Sequence, residues 1–199
     1  MTSDPRIPRS ENEAIAPSAP GKAELRQQLL VARRAFDAES RTQWDRNIGR
    51  QVVAWWQAAQ PATLGVYWPL RGEPDLSAAY AELERLGVQL LLPVVVARDA
   101  ALEFADWRIG EAMVRDGMGV AVPADLRLQP YPAALLVPCL GFNAGGYRLG
   151  YGGGFYDRTL AKVPRPVTVG VAYSALQVGF DADLHDVPLD TVITEAEQA

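Results

Sequence analysis

A mostly parallel α/β sheet, covered by helices on both faces, is the fold class this sequence predicts. Apolar, strand-like runs at residues 63–68, 88–96, 135–139 and 167–172 alternate with segments of helical periodicity. A glycine-dense stretch at 141–158, GFNAGGYRLGYGGGFYDR, follows one such run and precedes a segment able to continue as a helix. Loops after parallel strands are where α/β proteins gather ligand groups. With 199 residues, 49% of them hydrophobic, the chain can bury one sizeable core. We therefore expect a single domain over residues 22–199, preceded by a proline-rich extension at 1–21 that reads as disordered.

Taken in order, Leu25, Leu29, Ala32 and Phe36 recur at helical spacing, while Arg26, Gln27, Arg33 and Arg34 fill much of the remaining surface as a basic face. Lys22 and Arg26 lie four apart on the first turn, where they either reach one polyphosphate or form an ordinary solvated pair. A second helix at 40–60 carries Trp44, Ile48, Val52, Trp55 and Trp56 on a wide apolar face, a pattern that favours core packing over a stacking platform. Residues 63–68 read as a buried strand that feeds the turn PLRGEPD. Glu73 and Asp75 on that turn either meet a ligand or cap the helix at 76–86, for which Asp75 is placed as N-cap.

The run at 88–96 is the most apolar and reads as a central strand, with Pro93 marking a bulge or an end. Residues 102–107 alternate like an edge or hairpin strand, and 113–123, punctuated by glycine, reads as extended. After the strand at 135–139, seven glycines fall within the eighteen residues of 141–158. That density frees the backbone and lets a ligand approach it. Loop N–H groups leading into a helix favour an anion, Arg148 offers a forked donor for phosphate, and Asp157 is a hard oxygen ligand suited to Mg2+. A bare turn would fit the glycines alone, but a plain linker carries serine rather than interleaved charge and aromatics. A last strand follows at 167–172. The tail at 179–194 holds His185 and Asp186, of which Asp186 has the chemistry to reach a metal while a lone histidine is more often structural.

Composition narrows the function. A net charge of -5 argues against a protein held mainly by a nucleic-acid backbone, so any anion site is local. Of nineteen basic residues only Lys22 and Lys162 are lysines. One cysteine, Cys139, excludes an internal disulfide and reads as packing, and a single histidine excludes a multi-histidine metal site. No run has the length of a membrane span or the apolar core of a secretion signal, so a soluble, cytoplasmic protein is expected.

Four separated pieces in one order resemble the 5-formyltetrahydrofolate cyclo-ligase, or 5,10-methenyltetrahydrofolate synthetase, family. They are K-x-x-x-R at Lys22 and Arg26, the turn PLRGEPD, the loop RLGYGGGFYDR, and HD-x-x-x-D-x-x-x-T at 185–194. The loop is the specific piece, and the resemblance spans roughly residues 22–194. It implies a compact three-layer α/β/α fold and an ATP- and Mg2+-dependent ring closure of 5-formyltetrahydrofolate to 5,10-methenyltetrahydrofolate, with ADP and phosphate released. By the same resemblance Lys22 and Arg26 are ATP contacts, Arg148 with Gly150, Gly152 and Gly154 forms the phosphate cradle, and Tyr151, Gly153 and Tyr156 also belong to the ATP-binding set. Leu70, Glu73, Asp75, Phe155 and Tyr156 meet the folate, and Asp157 and Asp186 hold Mg2+. Arg148, Lys22 and Asp157 would carry the chemistry.

Phe155 stands where relatives commonly have tyrosine, and Tyr151 and Gly153 where they are often basic, which shifts weight to Arg148 and to backbone N–H groups. Expected partners are ATP and 5-formyltetrahydrofolate, with or without a polyglutamate tail, on a monomer that binds neither nucleic acid nor membrane. Two rivals remain at this level. One is a diverged ATP-dependent enzyme acting on another small molecule, the other a nucleotide- or sugar-phosphate-sensing module.

Overall fold

The computed structural model describes residues 20–196, so most of the predicted extension at 1–21 lies outside the described residues. Five strands form the parallel body of one seven-stranded sheet: β1 (Thr63–Gly65), β2 (Gln89–Val94), β7 (Ala134–Pro138), β10 (Val167–Val171) and β11 (Thr191–Ile193). β3 (Glu103–Trp107) and β6 (Leu128–Gln129) extend it antiparallel beyond β2, giving the order β11-β10-β7-β1-β2-β3-β6. Of the two readings of the strand at 102–107 the hairpin holds, since β3 pairs antiparallel with the preceding β2, and it is not an edge because β6 pairs with Phe104 and Ala105 on its outer side. β11, within the tail at 179–194, is not anticipated from the sequence; its three residues are too short for a periodicity to register.

Pro93 neither ends nor bulges β2 but lies inside it, paired with Phe104. The ladder with β1 stops at Leu91, so the missing proline N–H falls where β2 has a neighbour on one side only. The extended segment at 113–123 is a separate hairpin of β4 (Met113–Arg115) and β5 (Ala121–Pro123).

The two faces are covered unequally. Leu64, Val66, Leu90, Leu92, Leu136 and Val169 face α1 (Lys22–Arg34), α2 (Ala38–Ala59) and α3 (Ser77–Arg85), and form the larger core with them. Leu91, Leu135 and Val137, one residue out of phase, pack with Leu160 of the short α4 (Phe155–Leu160). Trp44 packs edge-on against Phe36 and lies beside Tyr173, and Trp55 and Trp56 pack partly buried on the larger core, so the tryptophans of α2 are core residues. On α1, Leu25 and Leu29 are buried as expected, but Ala32 is exposed and Arg33 has no exposed surface. The buried stripe therefore runs 25–29–33, one side chain every four residues.

β1 sits at the centre, and its glycine is required by contact. A Cβ on Gly65 would lie 2.5 Å from Leu135 Cδ1 and 2.9 Å from Pro132. Gly65→Ala is expected to cost about 1–3 kcal/mol through overpacking, seen as a lower denaturation midpoint with unchanged m-value. An unaltered midpoint would contradict that packing.

From β1 the chain moves through α3 to β2 on one side, whereas β7 lies on the other side of β1 and leads through α4 to β10. Right-handed crossovers running in opposite directions place their helices on opposite faces, as found for α3 and α4. The loops leaving the C-terminal ends of β1 and β7 consequently separate and open a crevice between them.

Candidate active site

The crevice is a cavity of about 510 Å3 walled by the β1 turn, the loop after β7, the first turn of α1 and the tip of the β4–β5 hairpin. On the β1 side, Leu70 and Glu73 close a tight turn in which Glu73 N–H donates to Leu70 O at 2.9 Å. Both central residues, Arg71 and Gly72, have positive φ (52° and 77°), the signature of a type I′ turn. Leu70 N–H donates back to Glu73 Oε2 at 2.8 Å, so the buried carboxylate is fixed from its own turn. Burial pushes its pKa up, against the pull of Tyr151, the Leu70 amide, Arg33 and Arg71.

Asp75 does not line the cavity. Its carboxylate is exposed and accepts from Ser77 N–H at 3.0 Å and Ser77 Oγ–H at 2.5 Å. These are local contacts at the helix start, although α3 begins one residue later than a strict N-cap at Asp75 requires. Two positions earlier, Glu73 points inward.

On the β7 side, 141–158 does not run directly from strand to helix. A two-stranded ribbon, β8 (Gly141–Phe142) and β9 (Arg148–Leu149), precedes the open loop at 150–154. Here glycine does serve a strand: a Cβ on Gly141 would meet Leu29 Cδ1 at 2.6 Å, so α1 lies directly against the ribbon. Gly152, at φ 90°, turns the loop beneath the Arg26 guanidinium, and Arg26 Nε donates to Gly150 O at 2.9 Å. Arg148, 8% exposed, pairs with Asp157 at 2.9 Å and lies 5.5 Å from the centre of the Tyr156 ring. Phe155 lines the cavity beneath the Arg158 guanidinium, which stacks at 5.4 Å.

Lys22 donates to both Asp183 and Asp186 at 2.6 Å. Burial works against its charge, but those two bonds outweigh it and raise its pKa. Asp186 is lowered, because Lys22 and the Asp183 amide overcome its own desolvation. His185 is exposed and faces elsewhere. Cys139 is buried and its thiol is pushed up to about 12, in keeping with a packing role.

Every predicted site residue except Asp75 therefore borders one cavity: Lys22, Arg26, Leu70, Glu73, Arg148, the loop at 150–154, Phe155, Tyr156, Asp157 and Asp186. Sequence reasoning missed Asp183, whose signal was the acid-rich DADLHD. It also missed Asp116, Met118 and Val120 on the β4–β5 hairpin, which local patterning gave no reason to bring over the sheet. The Tyr151 hydroxyl donates to Glu73 Oε1 at 2.7 Å.

A glycine loop lined by Arg26, Arg148 and Lys22 faces the Glu73 turn across the switch point of an α/β sheet, the place where enzymes of this architecture bind small molecules. Residues 18–195 match the model of the 5-formyltetrahydrofolate cyclo-ligase family. The chain is 28% identical to a 5-formyltetrahydrofolate cyclo-ligase of Mycoplasma pneumoniae, covering 87% of this chain and 98% of that one. It is 32% identical to one of Mycolicibacterium smegmatis, covering 87% and 93%. Solved 5,10-methenyltetrahydrofolate synthetases superpose with a TM-score of 0.75 for M. pneumoniae, at 27% identity over 88% of this chain and 99% of that one. For Aquifex aeolicus the TM-score is 0.77, again at 27% identity, over 88% and 90%. This chain belongs to the 5-formyltetrahydrofolate cyclo-ligase family.

Proposed function

We propose that the protein closes 5-formyltetrahydrofolate to 5,10-methenyltetrahydrofolate at the expense of ATP, with Mg2+, releasing ADP and phosphate. The observation that carries this reading is the convergence on one cavity of two unlike walls: Lys22, Arg26 and Arg148 with the glycine loop, and Glu73 with Leu70, Phe155 and Tyr156. The first wall suits a polyphosphate. The second offers a buried acceptor for pterin N–H groups beside aromatic faces.

The carboxylates present fit a magnesium ion, which needs only one or two from the protein when phosphates complete its shell. Asp157 and Asp186 would hold it, and when bound it supplies charge neutralisation on the phosphate oxygens. Asp157 pairs with Arg148, and Asp186 with Lys22.

In the reaction the formyl oxygen attacks the γ-phosphorus and the bond to ADP breaks, giving an N5 iminium phosphate. N10 then attacks the formyl carbon, loses its proton to solvent, and the C–O bond breaks to release phosphate. Arg148 and Lys22 would neutralise the transferring group, Arg26 would hold the loop through the Gly150 carbonyl, and Glu73 would orient the pterin. Such chemistry depends on alignment and charge rather than on a protein nucleophile. Mixing the protein with ATP, Mg2+ and 5-formyltetrahydrofolate is expected to produce the absorbance rise of the methenyl product, abolished when ATP is omitted. ATP consumption that is indifferent to folate, with no absorbance rise, would reject the reading.

A further inference from the structure

Arg33 is the largest side chain with no exposed surface, and it carries a charge. A buried cation needs partners. Its Nε donates to Arg71 O at 3.1 Å, inside the positive-φ turn that ends at Glu73, and its Nη2 donates to the Tyr151 hydroxyl. That hydroxyl in turn donates to Glu73 Oε1. Nη1 has no hydrogen-bond partner among the described residues. One guanidinium on α1 thus reaches both the backbone of the turn and, through one tyrosine, the carboxylate the turn presents. The Tyr151 ring lies between Arg33 and Arg71, whose guanidinium carbons are 5.6 and 5.3 Å from its centre.

We propose that Arg33 and Tyr151 are positioning residues for the pterin half of the reaction. Through the Tyr151 hydroxyl and the Arg71 carbonyl, Arg33 holds the Glu73 carboxylate aimed so that its remaining lone pairs accept N–H donors of the substrate. Tyr151 accordingly serves the folate wall rather than the phosphate cradle. The inference rests on the cyclo-ligase reading and deepens it.

The charged groups facing Glu73 are Arg33 from α1 and Arg71 from its own turn, both of which favour the carboxylate. Tyr67 beyond β1, Tyr80 of α3, Cys139 beyond β7 and Tyr156 of α4 also surround it, and burial keeps all four neutral at pH 7. Burial already raises the pKa of Glu73. Loss of the Tyr151 hydroxyl removes a contribution that lowers it, so the pKa rises further. The ionised form is then lost at a higher pH on acidification.

Tyr151→Phe preserves the ring and deletes only the link. Expected results are an increase of about tenfold in KM for 5-formyltetrahydrofolate at pH 7, as for one hydrogen bond to a charged group, and little change in KM for ATP. The acidic limb of the pH profile of kcat/KM for folate should move to higher pH, so that raising the pH restores part of the loss. Arg33→Met should act through the same path, and the double variant should lose less than the product of the two single losses. If Arg33→Met fails to fold, Tyr151→Phe alone decides. Unchanged folate kinetics and pH profile in Tyr151→Phe, or an equal rise in KM for ATP, would overturn the inference while wild-type turnover upholds the function. Absence of wild-type turnover overturns both.

Discussion

Arg148→Ala is expected to lower turnover by about a hundredfold or more, the scale of loss when a preorganised charge donor is removed. Arg148 is 8% exposed and sits in β9, so it is held by the ribbon and not by a mobile stem. Its guanidinium is braced by Asp157 on one side and the Tyr156 ring on the other, which fixes the orientation of the fork. Alanine removes the charge and leaves the ribbon hydrogen bonds in place. kcat should therefore collapse while the protein stays folded. Arg148→Lys keeps the charge without the planar fork and should recover only part of the rate. Near-normal turnover in Arg148→Ala, at an unfolding midpoint close to wild type, would remove Arg148 from the chemistry.

Asp157→Asn should raise the Mg2+ concentration for half-maximal activity by about tenfold or more, since the amide keeps the shape but offers a neutral ligand to a hard cation. The same change takes the anion from Arg148. Breaking a fully buried pair costs roughly 3–5 kcal/mol; here the cost is smaller because the Asp157 side chain is 26% exposed. A Mg2+ titration that superimposes on wild type would refute the metal role, and it can be read apart from any modest fall in the unfolding midpoint. The two variants separate what the ion pair joins: Arg148→Ala acts mainly on kcat, Asp157→Asn mainly on the metal requirement.

Much of the site was legible because its pieces are short and local. Lys22 and Arg26 share one helical turn, the Glu73 turn announces itself through proline and glycine, and the loop at 150–154 is marked by composition. Errors arose where local signals were balanced. Glu73 and Asp75 stand two apart on one turn, and both had the chemistry of a ligand. Only the reversal of φ at Arg71 and Gly72 decided that Glu73 faces the cavity while Asp75 turns out to Ser77. Arg33 was assigned to the basic face of its helix because charge normally marks solvent, although its spacing from Leu25 and Leu29 already put it on the inner stripe.

The sequence by itself determined the alternation of strands and helices, the parallel core and the glycine loop with its cations, since each depends on residues near one another in the chain. The tertiary structure decided which distant groups meet. Lys22 reaches Asp183 and Asp186 across 161 and 164 residues, and Tyr151 reaches Glu73 across 78. Those meetings follow from β7 lying beside β1 with crossovers to opposite faces. That arrangement is set by packing of the whole sheet, and no local window of sequence contains it.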